Sequence, residues 1–94
     1  MLKIKIGGKE FTKPFISART LRNVMKILAD SEGKELSTLE QFDQSVEIIT
    51  AVFDHQFTAD DLLDNFPSNQ FTNLVETVMN EVMGGDGKKQ ITEK

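Results

Sequence analysis

Cysteine is absent from these 94 residues. No disulfide can staple the fold, and no thiol can serve as nucleophile or metal ligand, which fits a reducing compartment. Tryptophan and tyrosine are absent too, so seven phenylalanines carry all the aromatic bulk. The single histidine, His55, has no second imidazole to share a metal or relay a proton. No apolar run approaches the roughly 18 residues of a membrane span. Lys3, Lys5 and Lys9 interrupt every apolar stretch near the N-terminus, so a signal peptide is not expected either. The expected location is the cytoplasm, without membrane association.

Positive charge is also missing from half the chain. Residues 36–83 hold nine Asp/Glu and no Lys or Arg, whereas residues 1–35 hold eight Lys/Arg against four Asp/Glu. With three Lys against two acids in residues 84–94, the net charge is −4. An acidic helical half repels phosphate, so nucleic acid is not an expected partner. Two kinds of partner remain: a basic protein, or a second copy pairing its basic half with this acidic half. A third reading is that the split serves only solubility and charge pairing within the chain.

What is present reads as a mainly α chain (α+β): an N-terminal β-hairpin, then about four helices. Leu2-Lys3-Ile4-Lys5-Ile6 alternates with the period of a half-buried strand. Gly7-Gly8 supplies the turn, Glu10-Phe11-Thr12 the return strand, and Pro14 its end. An isolated two-stranded hairpin is marginal in water, so a helix or a neighbouring chain should cover the Leu2/Ile4/Ile6 face. Ser17 caps the next helix, whose apolar face reads Leu21, Val24, Met25 and Leu28, with Arg19, Arg22 and Lys26 on another. Gly33 stands ready for a left-handed stop.

Ser37-Thr38-Leu39-Glu40 is a capping box. The helix it opens carries Leu39, Phe42, Val46, Ile49 and Phe53 on one stripe, widened by Ile48 and Val52, and ends near Asp54. After the His55-Gln56 junction, Thr58 caps a short helix with Asp61 three residues on, and Phe57 is placed to staple against Leu62. Asp60 and Asp61 lie in its first turn, where the helix dipole favours negative charge. Pro67 stops it and suits the first position of the next helix. There Phe71, Leu74, Val75, Val78, Met79 and Val82 trace one face up to Gly84-Gly85. The stretch Val46–Phe66 therefore organises the chain, with one domain over residues 1–84. Residues 85–94, rich in Gly and Lys with a single aliphatic, Ile91, are expected to be a disordered tail.

Chemistry is hard to place. Asp54, Asp60, Asp61 and Asp64 lack the spacing, glycine and closing glutamate of a calcium loop. Asp60 and Asp61 point in different directions on one helical turn, and the dipole accounts for both. Gly7-Gly8 and Gly87-Lys88-Lys89 lack phosphate-loop context. No nucleophile–base–orienter set is present. Catalytic residues, metal ligands and cofactors are accordingly expected to be none.

The layout resembles a known family. Its signature here is Lys3 to Thr12 around Gly-Gly-Lys-Glu-Phe-Thr, then Phe53-x-x-Gln56-Phe57-Thr58-x-x-Asp61, then Val75-Glu-Thr-Val-Met-Asn-Glu-Val-Met-Gly84. Over residues 2–84 the chain is similar to tail assembly chaperones of long, non-contractile-tailed phages (siphophages) of Gram-positive bacteria. Asn65 stands where that pattern often has Gly. The resemblance implies a non-enzymatic protein that binds the tape measure protein and keeps it soluble until tail tube protein polymerises around it. It implies a place in the host cytoplasm and not in the mature virion. It also implies a longer form made by a −1 frameshift near the stop codon, which would recruit tail tube protein; Gly87-Lys88-Lys89 can be encoded by a slippery run. Self-association along a long client fits the split charge.

Candidate partner-binding residues are Leu62, Leu63, Phe66, Phe71, Val75, Met79 and Met83, grouped about the Pro67 junction where a groove is plausible. Each also reads as ordinary core, and methionines adapt to varied partners. The alternative function is a small non-catalytic interaction adaptor or regulator, which would bind one partner tightly and form no concentration-dependent oligomers. A small hydrolase or metal enzyme is the remaining rival.

Overall fold

The computed structural model describes residues 2–83. The expected tail, 85–94, lies outside them. Strands β1 (Leu2–Ile6) and β2 (Lys9–Lys13) form an antiparallel hairpin, followed by helices α1 (Ala18–Asp30), α2 (Thr38–Val52), α3 (Ala59–Asn65) and α4 (Phe71–Val82). A 3-10 turn, Ser68–Gln70, leads into α4. The hairpin and the four helices agree with the architecture expected from the sequence.

The hairpin turns on Gly7 and Gly8, with φ of 59° and 84°. Positive φ at both central residues is the turn whose twist suits two joined strands, and glycine adopts it without strain. Ile4 pairs with Phe11 at the centre of the face that carries Leu2 and Ile6, with Lys13 and Lys9 opposite those two, and Lys5 pairs with Glu10 on the other face. Leu2, Ile4 and Ile6 are buried, with α3 lying against β1. The helical cover that a lone hairpin needs is thus supplied from within the chain.

One apolar cluster spans β1 and all four helices. Among the described residues, Val46, Ile48, Ile49, Val52, Phe53, Phe57 and Leu62 make half of its fourteen buried members. That share places the centre of the fold in the Val46–Phe66 stretch.

The connection from α2 to α3 has a specific geometry. Asp54 donates its backbone N–H to Ala51 O (3.0 Å) and His55 to Thr50 O (2.9 Å), satisfying carbonyls the helix end leaves open. Both residues have φ of 58°, the left-handed region that Asp tolerates better than most. Two bonds from β2 hold the bend: Lys13 Nζ pairs with the Asp54 carboxylate, and Gln56 Nε2 donates to Thr12 O at 3.0 Å. Phe57 packs beneath, 5.1 Å from the Phe11 ring and 5.5 Å from that of Phe53. Thr58 and Asp61 then form the expected capping box for α3.

Four expectations are corrected. Met25 is 56% exposed. The buried side of α1 is Thr20 and Val24, flanked by Leu21, Ile27 and Leu28. Met25 sits about 100° around the helix from Val24, beyond the reach of α2. Leu39 and Phe42 belong to the α2 stripe by spacing, yet they are 67% and 38% exposed, because the neighbouring elements cover only the later turns. Pro67 is not the first residue of α4: with ψ of 132° it is extended and precedes the 3-10 turn. Gly33 is left-handed at φ 81°, but in the turn after Ser31, which is the residue that caps α1.

Candidate partner-binding surface

The seven candidate residues separate into two places. Leu62 is in the core at 1% exposure and offers no surface, whereas Leu63, next to it on α3, is 46% exposed. Phe66 is half-buried and lines a cleft of about 650 Å³ with Pro67, Gln70, Leu74, Lys3, Lys5 and the Gly7-Gly8 turn. This is the groove expected at the Pro67 junction. Asn65, Gln70, Asn73, Thr77 and the two lysines make much of its wall polar, so it is a poor receptor for an apolar helix.

The apolar surface lies further along α4. Phe71, Val75 and Met79 are half-buried on its side toward α2. Met83, just past its end, is 52% exposed. Across from them stands a wall the sequence reading had assigned to the core. The Phe42 ring lies 4.5 Å from that of Phe71 at an angle of 31°. Next to that pair is a crevice of about 270 Å³ that takes in Ser45, Val75 and Glu76. A second crevice, of about 190 Å³, again includes Ser45 and Val75, with Leu28, Ile48, Val78 and Met79. The shared residues make the two one seam. Phe42 meets Phe71 at one end, and Ile48 lies with Val78 and Met79 at the other, so α2 and α4 run in the same direction.

The seam's second wall was legible in part. An α2 stripe with seven apolar members is wider than one neighbouring helix covers. That width signals either burial on two sides or an uncovered flank, and only the placement of α4 decides which.

Charge around the seam has one sign. The two crevices contain Glu76 and no Lys or Arg. The carboxylates of α2, Glu40, Asp43 and Glu47, lie on its side toward α1, near Lys34 and Lys26. Glu40 is held below the usual carboxylate range. It accepts the Ser37 backbone N–H at 2.8 Å, bonds with the Ser37 side chain add to this, and Lys34 contributes a smaller attraction.

His55 is exposed and its backbone N–H closes the α2 end. Asp61 is committed to its cap. Among the described residues no group of His, Cys, Asp or Glu could hold a metal ion, and no helix is long and apolar enough to cross a membrane.

A family model described as phage tail chaperone protein matches residues 1–94. The chain belongs to the phage tail chaperone family. No curated protein and no solved structure matches it. In this phage tail chaperone the seam is apolar surface that the fold leaves half open.

Proposed function

We propose that this phage tail chaperone serves a long, non-contractile-tailed phage of Gram-positive bacteria. It binds the tape measure protein in the host cytoplasm and keeps that chain soluble until tail tube protein polymerises around it. The mechanism is reversible coating: apolar helix faces cover apolar client surface, copies associate along the client, and tube assembly displaces them. It requires no catalysis and no cofactor. A longer frameshifted form would carry the contact to tail tube protein, and the chaperone would be left out of the mature virion.

The observation that carries this reading is the family match along all 94 residues. The seam of Phe42, Phe71, Val75 and Met79 supports it as apolar surface at the solvent boundary. The charge division between residues 1–35 and 36–83 supports association of copies.

Co-expression with the tape measure protein of the same phage tests the proposal. The expected result is a shift of the tape measure from inclusion bodies to the soluble fraction, together with concentration-dependent association in sedimentation. A strictly monomeric chain that leaves the tape measure insoluble overturns it. One tight stoichiometric complex with no gain in solubility favours an adaptor instead.

A further inference from the structure

We propose that the α2–α4 seam binds an amphipathic helix whose apolar stripe is flanked by Lys and Arg. This deepens the chaperone reading by naming a surface and a client chemistry, and it rests on that reading only for who supplies the helix.

Shape argues for a helix. Two helices running side by side leave a groove into which the side-chain ridges of a third can pack. A strand would need backbone hydrogen-bond partners, and helix walls do not offer them. From Phe71 to Met79 the seam runs about 12 Å, at 1.5 Å per residue, enough for apolar anchors at i, i+3 or i+4, and i+7. The Phe42–Phe71 pair and the Met79 end would each meet one anchor, with Ser45 and Val75 as the floor between them.

Charge argues for basic flanks. The carboxylate of Glu76 lines the seam and no Lys or Arg does, so an acidic flank would be repelled there and a basic one attracted. A second copy meets this requirement poorly. Its basic helix α1 spends Val24, Leu21, Ile27 and Leu28 on its own core, which leaves Met25 as the one large exposed apolar side chain on that helix. A single anchor does not fill the seam.

The probes are two synthetic amphipathic helices of about five turns, one Leu/Lys and one Leu/Glu, with binding read by fluorescence anisotropy at low and high salt. The Leu/Lys peptide should bind, weaken with salt, and outcompete Leu/Glu by on the order of tenfold or more. Phe42→Ala, at an exposed position, should lose about tenfold in affinity with an unchanged circular dichroism spectrum. Glu76→Lys should narrow or reverse the preference between the peptides, a response that a merely structural role for Glu76 would not give. Equal affinity for both peptides, or wild-type binding by Phe42→Ala, overturns the proposal. So do salt-sensitive oligomers of the chain alone that Phe42→Ala dissolves, since a second copy would then occupy the seam.

The two readings can fail separately. If a Phe42→Ala/Glu76→Lys double variant keeps the tape measure as soluble as wild type does, the seam falls and the chaperone reading stands. If the Leu/Lys peptide binds as expected while no tape measure is rescued, the seam stands and the chaperone reading falls.

Discussion

Two regions of this small domain use the same residue types to opposite ends. At the α2–α3 junction, Phe53 and Phe57 are buried, the backbone is capped, and β2 bonds hold the bend from outside. At the α2–α4 seam, Phe42 and Phe71 meet each other in a surface that is only half closed. Spacing alone does not distinguish Phe42 from Phe53, since both lie on one helical stripe. The difference comes from what the chain lays over them. A short chain with no disulfide can keep one end open if the other is tightly closed, because native stability is only about 5–15 kcal/mol in all.

The most forceful way to break this comparison is a matched pair of deletions. Phe53→Ala empties a fully buried site and should cost about 3–5 kcal/mol, enough to unfold much of the population. Phe42→Ala removes a partly solvated ring and should cost about 1 kcal/mol, chiefly the pairing with Phe71. Urea denaturation of both variants measures the gap. Equal costs would mean that the seam is core and that the proposed partner helix has no surface to bind.

The junction itself can be tested at Asp54. Its left-handed backbone, φ 58°, costs an ordinary L-residue roughly 1–2 kcal/mol, and its carboxylate pairs with Lys13 at a position that is 60% exposed. Asp54→Ala loses both the residue tolerant of that conformation and the ion pair, and should destabilise by about 1–2 kcal/mol. Asp54→Gly loses the pair but relieves the backbone, and should stay within about 0.5 kcal/mol of wild type. If Ala and Gly behave alike, backbone geometry does not govern the bend.

These sites mark where the sequence was readable. Both capping boxes were legible, because each needs only residues three apart. The hairpin was legible from alternation and its glycine pair. The left-handed bend was not, because Asp54 and His55 stand where a glycine would announce it. Its supports, Lys13 and the Thr12 carbonyl, are 41 and 44 residues away in the chain. On α1, Met25 and Ile27 are equally apolar, and only the position of α2 decides that Ile27 is covered. For the same reason the α4 half of the seam, Phe71, Val75 and Met79, could be nominated from periodicity, whereas Phe42 and Ser45 could not. The Gln44 side chain, which donates to Ser31 Oγ at 2.7 Å and so ties α2 to the end of α1, has no local pattern at all.

The smallest expected effect lies at the start of α2 and is one of pH. Glu40 accepts from Ser37, with Lys34 nearby, and its folded pKa is lowered. A lowered pKa means that the ionised form is favoured by folding. The contribution is therefore complete at neutral pH, above the carboxyl's unfolded pKa, and is lost as pH falls through the folded value. Glu40→Gln keeps a side chain able to accept the Ser37 N–H but cannot ionise. Wild type should thus hold a slightly higher urea midpoint than Glu40→Gln at neutral pH, and the two curves should converge in acid. A difference that stays constant with pH would show that the cap acts through geometry alone.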